Sequence, residues 1–385
     1  MLIRLGGQDL AIVGRARVYI CGITPYDATH LGHAATFVWS DVAVRFLRHL
    51  GHEVQVTRNI TDVDDSLLTR ARETGTPWRT LATRQTYQFE DDMARLGVST
   101  PTFEPQAHNY VAEVIELTQA LIDLGHAYLA AGTVYGRAGD VAIGAGLSEQ
   151  DALSLASQRG EDPTDAAKQH PLDTVLWQAA DDGGDDDGNQ PVWDSPWGRG
   201  RPGWHVECSA MALATLGPGL DLHCGGEDLA FPHHAFETAH AEAALGVAPF
   251  ARAWLRAGAV HHDGQKMAKS VGNLVMVRDL LADHSAAALR LMICDRRWWD
   301  DWTFDPAALD RAEQRVTALR ASTRQPDGSA DGPDRVITAL ADDLDVPTAL
   351  AIAEAEGGRS AEIVVEVLGL HPFEPTARTS MLPNP

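Results

Sequence analysis

The sequence predicts an α/β fold in which a parallel, nucleotide-binding sheet is split by an inserted segment and followed by a small helical C-terminal domain. Three observations carry this. Arg17–Cys21 (RVYIC), a helical stretch from about Leu31 to Leu50, and Glu53–Asn59 (EVQVTRN) are spaced as strand, helix and strand, the βαβ unit from which parallel sheets are built. Short strand and helix patterns return only at Trp197, beyond a poorly periodic middle. After Val277 the pattern is mostly helical.

RVYIC is β-branched and aromatic and reads as a buried strand, followed by a turn carrying Gly22 and Pro25. EVQVTRN alternates as a second strand, and the acidic run Asp62–Asp65 follows at its carboxyl end, where open α/β sheets bind ligands. A capped helix start explains the same run equally well. From Pro77 to Tyr128 apolar residues such as Val111, Val114, Ile115, Leu117, Leu121 and Leu124 recur at helical spacing, and Tyr128–Tyr135 reads as a hairpin. Gly144–Gln190 is poorly periodic and ends in Asp181–Asn189 (DDGGDDDGN), read as a mobile loop. A helix is expected from near His205, a strand at Leu220–His223, a turn at Gly225 and Gly226, a helix over Pro232–Leu245 and a last strand over Arg256–His262. A polar linker, Thr323–Asp334, precedes the helical tail, and the residues after His371 read as frayed. The expected divisions are a first half of the parallel-sheet domain (1–100), an insertion (101–196), a second half (197–282), a helical domain (283–372) and a disordered tail (373–385).

With 385 residues the chain can bury two or three packed units. Its formal charge of −23, without a long Lys/Arg run, disfavours broad binding to phosphate backbones. Met1–Gly14 lacks a basic region followed by an apolar core, and no stretch approaches the ~20 apolar residues that span a bilayer, so a cytoplasmic protein with no membrane partner is expected. Cys21, Cys208, Cys224 and Cys294 lie far apart, which argues against a disulfide framework and leaves metal binding or plain burial.

Three patterns carry chemistry. His30 and His33 in HLGH stand three apart at a helix start, where both rings share a face beside backbone N–H groups. Helix N-termini attract anions, and imidazole donors stabilise charge on departing pyrophosphate; taken alone, the pattern also fits helix-start packing. Lys266 and Lys269 in KMAKS follow a turn with Asp263 and Gly264 and suit a loop that closes over phosphates; alone they read as a solvated basic turn. Cys21, Cys208, His233 and Glu237 offer two thiolates, an imidazole and a carboxylate, with the last two at i, i+4 on a helix, a donor set for tetrahedral zinc. No CxxC spacing supports that set, and buried cysteines are the plainer reading. Cys224 and Cys294 read as core or loop residues, while His234 points elsewhere on its helix and is a weaker ligand candidate.

CGITPYDATHLGHA, NITDVDD, GWHVECSAM, FPHH and KMAKS occur in this order over most of Val18–Leu281. Together they resemble class I aminoacyl-tRNA synthetases, specifically the cysteinyl-tRNA synthetases. Ile23 and Pro25, RGEDP at Arg159–Pro163, SPWGRGRPGWH at Ser195–His205 and ADDLDVPTALA at Ala341–Ala351 make the chain similar to a smaller branch, the cysteine ligases of mycothiol biosynthesis. The short helical tail leaves little room for an anticodon-binding domain.

The resemblance implies a Rossmann-like class I core with a connective insertion. It implies an AMP-forming ligase that joins L-cysteine, through a cysteinyl-adenylate, to the amine of glucosaminyl-inositol, using ATP with Mg2+ and one Zn2+ per chain. The partners are then small molecules, without tRNA, and the chain is a monomer. His30, His33, Lys266 and Lys269 correspond to the HIGH and KMSKS motifs, which bind ATP and stabilise adenylate formation. Cys21, Cys208 and His233 match the zinc ligands, with the substrate thiol as the fourth. Cys21, Gly22, Ile23, Thr24, Thr36, Asn59, Ile60, Thr61, Trp204, Gly226, Glu227, Asp228 and Val260 match the cysteinyl-adenylate pocket, with Asp228 holding the ribose. Asp64 or Glu227 would accept the proton of the attacking amine. Three departures stand out: Ala268 replaces the Ser of the KMSKS motif, HCGGED replaces a GGGSD-like turn, and Glu237 occupies the position of the tRNA enzymes' fourth zinc ligand. The alternatives left open are a cysteinyl-tRNA synthetase with a reduced tail, a ligase for a different amine or a carrier protein, and a catalytically silent binding paralogue.

Overall fold

The computed structural model describes residues 2–26, 29–180, 190–268 and 271–372. An antiparallel ribbon, β1 (Ile3–Leu5) and β2 (Gln8–Leu10), precedes the expected βαβ unit of β3 (Arg15–Ile23), α1 (Leu31–His49) and β4 (Glu53–Ile60). β3 and β4 are parallel, with Val18 opposite Val56. α2 (Asp65–Thr74) and α3 (Trp78–Arg95) follow. Asp64 caps α2 by accepting from the Ser66 N–H at 2.7 Å, so capping accounts for that member of the acidic run.

The middle of the chain contributes α4 (Val111–Asp123), β5 (Ala127–Ala130), β6 (Thr133–Gly136), α5 (Val141–Gly144), α6 (Glu149–Gln158), β7 (Thr174–Ala179) and β8 (Gly200–Pro202). Its strands form an antiparallel sheet in the order β5-β6-β7-β8, and Tyr128 lies opposite Tyr135 in the expected hairpin. The stretch read as poorly periodic carries α6 and β7, a correction. α6 buries only Ala152 and Ala156, too narrow an apolar stripe to register in the sequence. The loop expected at Asp181–Asn189 and the tail expected from residue 373 lie outside the described residues.

α7 (Trp204–Leu216), β9 (Leu222–Gly226), α8 (Ala235–Leu245) and β10 (Trp254–Ala257) complete an all-parallel sheet in the order β10-β9-β3-β4. Two expectations need correcting. Gly225 and Gly226 are not a turn but the end of β9, paired with Arg256 and Ala257. Arg256–His262 is not one strand: β10 ends at Ala257, and β11 (Val260–His262) starts a separate small sheet with β12 (Gln265–Lys266) and β13 (Trp302–Thr303). The break falls at Gly258, where a Cβ would lie 2.4 Å from the Asp300 carbonyl oxygen. α9 (Val277–Asp283), α10 (Ala286–Cys294), α11 (Pro306–Ser322), α12 (Gly332–Ala341), α13 (Val346–Glu356) and α14 (Gly358–Val367) form the helical end of the chain.

Strand alternation divides the core between the two sheet faces. Ala16, Val18 and Ile20 of β3, with Leu222 and Cys224 of β9, join α1 and the C-terminal helices. Tyr19 and Cys21 point the other way and pack with Cys208, Met211, Ala212 and Phe250. Among the described residues no helix is long and apolar enough to cross a membrane.

Candidate active site

The four residues proposed from the sequence as metal ligands converge. Cys21 ends the buried run of β3, Cys208 lies in the second turn of α7, and His233 and Glu237 flank the start of α8. One donor atom from each lies within 4.8 Å of the others, and all four residues are buried. Cys21 Sγ is 3.3 Å from Glu237 Oε1, and His233 Nε2 is 2.8 Å from the same oxygen. Tetrahedral zinc bonds of about 2.0–2.3 Å separate donors by roughly 3.3–3.8 Å. The Cys21–Glu237 spacing meets this, the 2.8 Å between His233 Nε2 and Glu237 Oε1 is a hydrogen-bond distance that would open around an ion, and the four donors are a group that could hold a metal. Glu237 Oε2, buried and without a hydrogen bond, leaves further donor capacity at the same spot.

A second group is interleaved with the first. Donor atoms of Cys21, His223, His234 and Glu237 also lie within 4.8 Å of one another, with His223 Nε2 3.3 Å from both Cys21 Sγ and Glu237 Oε2. The expectation that His234 points elsewhere is therefore corrected. Ala230–His234 is an irregular wide turn in which Phe231 has extended dihedrals (φ −141°, ψ 136°), so the angular offset of a regular helix does not apply. His223 was missed as a site residue. It sits opposite Tyr19 in the β3–β9 register, on the face that Cys21 shares. Indole rings wall the imidazoles: Trp204 stacks on His233 at 4.3 Å and Trp254 on His223 at 4.5 Å. His205 Nδ1 approaches His233 Nδ1 at 2.9 Å, and its Nε2 lies 3.4 Å from Glu161.

Burial sets opposing demands on these groups. It pushes the Cys21 thiol well above its usual value. Burial also opposes ionisation of Cys208, but the Cys21 hydrogen bond and His233 outweigh it and bring that thiol down to about 6. His233 resists protonation through burial, yet Glu237 and Cys208 carry it up to about 10. Glu237 is held below the usual carboxylate range because His233 and His223 overcome its burial. His223, desolvated, falls to about 4. Cys224 and Cys294, apart from this site, are core thiols raised to about 12 by burial, as the sequence suggested.

The residues expected to line the adenylate pocket come together at the adjoining strand ends. The Gly22 N–H donates to Asn59 Oδ1 at 2.8 Å, Asn59 Nδ2 donates to Thr61 Oγ1 at 2.9 Å, and the Thr61 N–H donates to the Ile23 carbonyl at 2.9 Å. A Cβ on Gly22 would lie 1.6 Å from the Asn59 carbonyl oxygen, so only glycine permits this approach. Ile60 pairs with Ile23, and Thr24 accepts from the Tyr26 N–H at 2.9 Å. Thr36 lies one turn into α1. His30 caps α1, its Nδ1 accepting from the Gly32 N–H at 3.1 Å, and stacks on His33 at 3.8 Å. Leu31 N–H donates to the Val275 carbonyl at 2.8 Å, and Val277 N–H to the Thr29 carbonyl at 3.1 Å. The HLGH turn is thus bound by backbone to the segment just after KMAKS.

Lys266 Nζ lies 3.7 Å from Asp228 Oδ2 and 4.0 Å from Glu227. Lys269 lies outside the described residues. Asn273, which sequence reading passed over, shapes the loop: its Oδ1 accepts from the Ala268 N–H at 2.9 Å and its Nδ2 donates to the His262 carbonyl at 2.9 Å. Val260 is buried, and its carbonyl accepts from the Met267 N–H at 2.8 Å. Asp228 also pairs with Arg159 at 2.7 Å. Burial opposes its ionisation, but Lys266 and Arg159 prevail and hold the carboxyl below its usual range. Burial, followed by the Asp301 charge, raises Glu227.

Residues 10–314 match the family of class I (C) tRNA synthetase catalytic domains. An "L-cysteine:1D-myo-inositol 2-amino-2-deoxy-alpha-D-glucopyranoside ligase" of Thermobispora bispora is 44% identical over 89% of this chain and 85% of its own length. Its namesake in Mycolicibacterium vanbaalenii is 46% identical over 87% of this chain and 79% of its own. Among solved structures, Mycobacterium tuberculosis methionyl-tRNA synthetase bound by methionyl-adenylate aligns with a TM-score of 0.60 at 15% identity, covering 92% of this chain and 90% of that one. An Agrobacterium radiobacter leucyl-tRNA synthetase in a ternary complex aligns at 0.65 and 10% identity, covering 94% and 84%. At such identities these two speak to the fold alone. Fold, family match and relatives agree: the chain belongs to the class I (C) tRNA synthetase catalytic-domain family and, within it, to the group of L-cysteine:1D-myo-inositol 2-amino-2-deoxy-alpha-D-glucopyranoside ligases.

Proposed function

We propose that this chain is an AMP-forming ligase that activates L-cysteine with ATP and transfers it to the amine of glucosaminyl-inositol, a step of mycothiol biosynthesis. The observation that carries the reading is the convergence of Cys21, Cys208, His233 and Glu237 on one buried point, in a chain 43–46% identical to ligases named for this reaction.

In the first step the cysteine carboxylate attacks the α-phosphorus of Mg2+-bound ATP. His30, His33, Lys266 and Lys269 stabilise the charge on the departing pyrophosphate. The Gly22–Asn59–Thr61 corner holds the adenylate, and Asp228 accepts hydrogen bonds from the ribose hydroxyls. In the second step the neutral amine attacks the acyl carbon, AMP leaves with the bonding electrons, and an amide forms. Asp64 or Glu227 takes the amine proton. Both steps proceed without a covalent enzyme intermediate, so positioning and electrostatics supply the rate. Zinc bound by Cys21, Cys208 and His233, with Glu237 as a further ligand, would distinguish a thiolate from a serine hydroxyl. Around that position Trp204 and His205 fix the His233 ring, and burial excludes water.

The test supplies ATP, L-cysteine and glucosaminyl-inositol and detects the cysteinyl amide by mass. A cysteinyl amide that forms only with all three supports the reading. Strong cysteine-dependent ATP–pyrophosphate exchange without that amide assigns the chain a different acceptor, and no exchange at all refutes activation of cysteine.

A further inference from the structure

The inserted segment reaches into the nucleotide site through one side chain that the mechanism above does not use. α6 ends in a reciprocal backbone cap: the Gly160 N–H donates to the Ser157 carbonyl at 3.2 Å and the Glu161 N–H to the Ala156 carbonyl at 3.1 Å. Gly160 takes the left-handed conformation this cap requires (φ +91°). The reversal sends residues 159 and 161 in different directions. Glu161 turns inward and is held by Lys168 at 3.1 Å and by buried His205 at 3.4 Å. Arg159 is thereby fixed at the helix end and extends to Asp228, where Nη2 donates to Oδ2 at 2.7 Å.

Asp228 lies in a short turn after β9, with its side chain 32% exposed, and a lone carboxylate there would be free to rotate. Arg159 and Lys266 both approach Oδ2. The other oxygen, Oδ1, is left over Gly226, 2.5 Å from where a side chain at that residue would begin. That is the side on which the adenylate pocket is expected.

We propose that Arg159 is a positioning residue for ATP: from the inserted segment it holds the Asp228 carboxylate in the orientation that accepts the ribose hydroxyls. The inference rests on the reading of Asp228 as the ribose ligand. A charge-assisted hydrogen bond that pre-orients an acceptor is worth about tenfold in affinity.

The experiment measures cysteine-dependent ATP–pyrophosphate exchange for wild type, Arg159→Ala, Arg159→Lys and Asp228→Asn, each with ATP and with 2′,3′-dideoxy-ATP. Arg159→Ala should raise KM for ATP about tenfold with kcat within about twofold, and Arg159→Lys should recover most of the loss. With the dideoxy nucleotide, wild type and Arg159→Ala should have the same KM, because the hydroxyls that Asp228 meets are gone. A KM raised by Asp228→Asn but not by Arg159→Ala overturns the role of Arg159 and leaves the ribose reading standing. A KM unmoved by Asp228→Asn overturns both. A loss in Arg159→Ala that persists with the dideoxy nucleotide also overturns the proposal, since Arg159 would then act on another part of the substrate. Should Arg159→Ala not fold, Arg159→Met, which keeps an unbranched stem to pack at the helix end but has no donor or charge, is measured in its place with the same outcomes.

Discussion

Asp41→Asn removes one charge from the contact that joins helix α1 to the C-terminal helices. Arg290 of α10 is fully buried (0% exposed), and the Asp41 side chain is 1% exposed. The guanidinium donates to Asp41 Oδ2 at 2.7 Å, to the Leu368 carbonyl at 2.6 Å and to the Leu96 carbonyl at 3.5 Å. Asp41 accepts in addition from Arg45 Nε at 2.6 Å and from the Ser99 N–H at 3.0 Å. Asparagine keeps the shape and one acceptor but leaves Arg290 charged, buried and without a counter-charge. Breaking a buried pair from one side costs about 3–5 kcal/mol, and the retained amide oxygen places this case near 3. At a urea slope of about 3 kcal/mol/M, the midpoint at pH 7 should fall by about 1 M. A fall below about 0.3 M would mean that the charge is compensated by other means and would refute the reasoning.

The same variant carries a pH signature. Burial pushes the Asp41 carboxyl up, but Arg290 and Arg45 more than reverse this, so it ionises below its usual range in the folded protein. A depressed carboxyl contributes its full stabilisation above the unfolded value of about 3.9 and loses it as pH falls through the folded value. The stability gap between wild type and Asp41→Asn should therefore stay constant from neutral pH down to about 4 and narrow below it. A gap that widens on acidification contradicts the assignment.

Cys208→Ala should abolish zinc retention, measured as bound metal after dialysis, and cysteine-dependent exchange, while far-UV circular dichroism stays unchanged; stoichiometric zinc in this variant refutes the metal site. Gly22→Ala forces a Cβ to within 1.6 Å of the Asn59 carbonyl oxygen and should cost about 3 kcal/mol or more in urea unfolding. Gly219→Ala, whose Cβ would meet nothing within 4 Å, is the control and should stay within about 0.5 kcal/mol. Lys266→Ala should lower kcat for exchange by about 10²–10³, the usual effect of deleting one donor to a developing anion; a loss confined to KM would assign Lys266 to holding Asp228 instead.

The parts of this molecule that a sequence reveals are those whose period is local. β3, α1, β4 and the Tyr128–Tyr135 hairpin were legible because alternation and helical spacing are written within each stretch. The meeting of Cys21, Cys208, His233 and Glu237 was legible mainly by a different route, the resemblance, because Cys21 and Cys208 are 187 positions apart and no local pattern joins them. His223 escaped both routes, and Arg159 was read only as part of the RGEDP resemblance with no place in the site, for one reason. His223 enters the pocket through the pairing of β9 with β3, and Arg159 through the docking of α6 on the turn after β9. Neither pairing is encoded near the residue it places. The visible local signals, an alternating LHC and an Arg-Gly helix end, state only which way each side chain leaves its own element.

Register then explains why this pocket tolerates little drift. Side chains alternate along β3 as far as Cys21, where the pairing with β4 shifts register between Ile20 and Ile23, so a slip of one residue before that shift would bring Ile20 to the position of Cys21 and expose an aliphatic group to the imidazoles. Gly22 guards against that slip. Its lack of a side chain allows the Asn59 carbonyl to close on β3, while its N–H binds the Asn59 side chain, so the strands lock at the residue next to the thiol. The positions of Cys21 and of the Gly22–Asn59 corner, the residues proposed for metal and nucleotide, are therefore set by a single contact between adjacent strands.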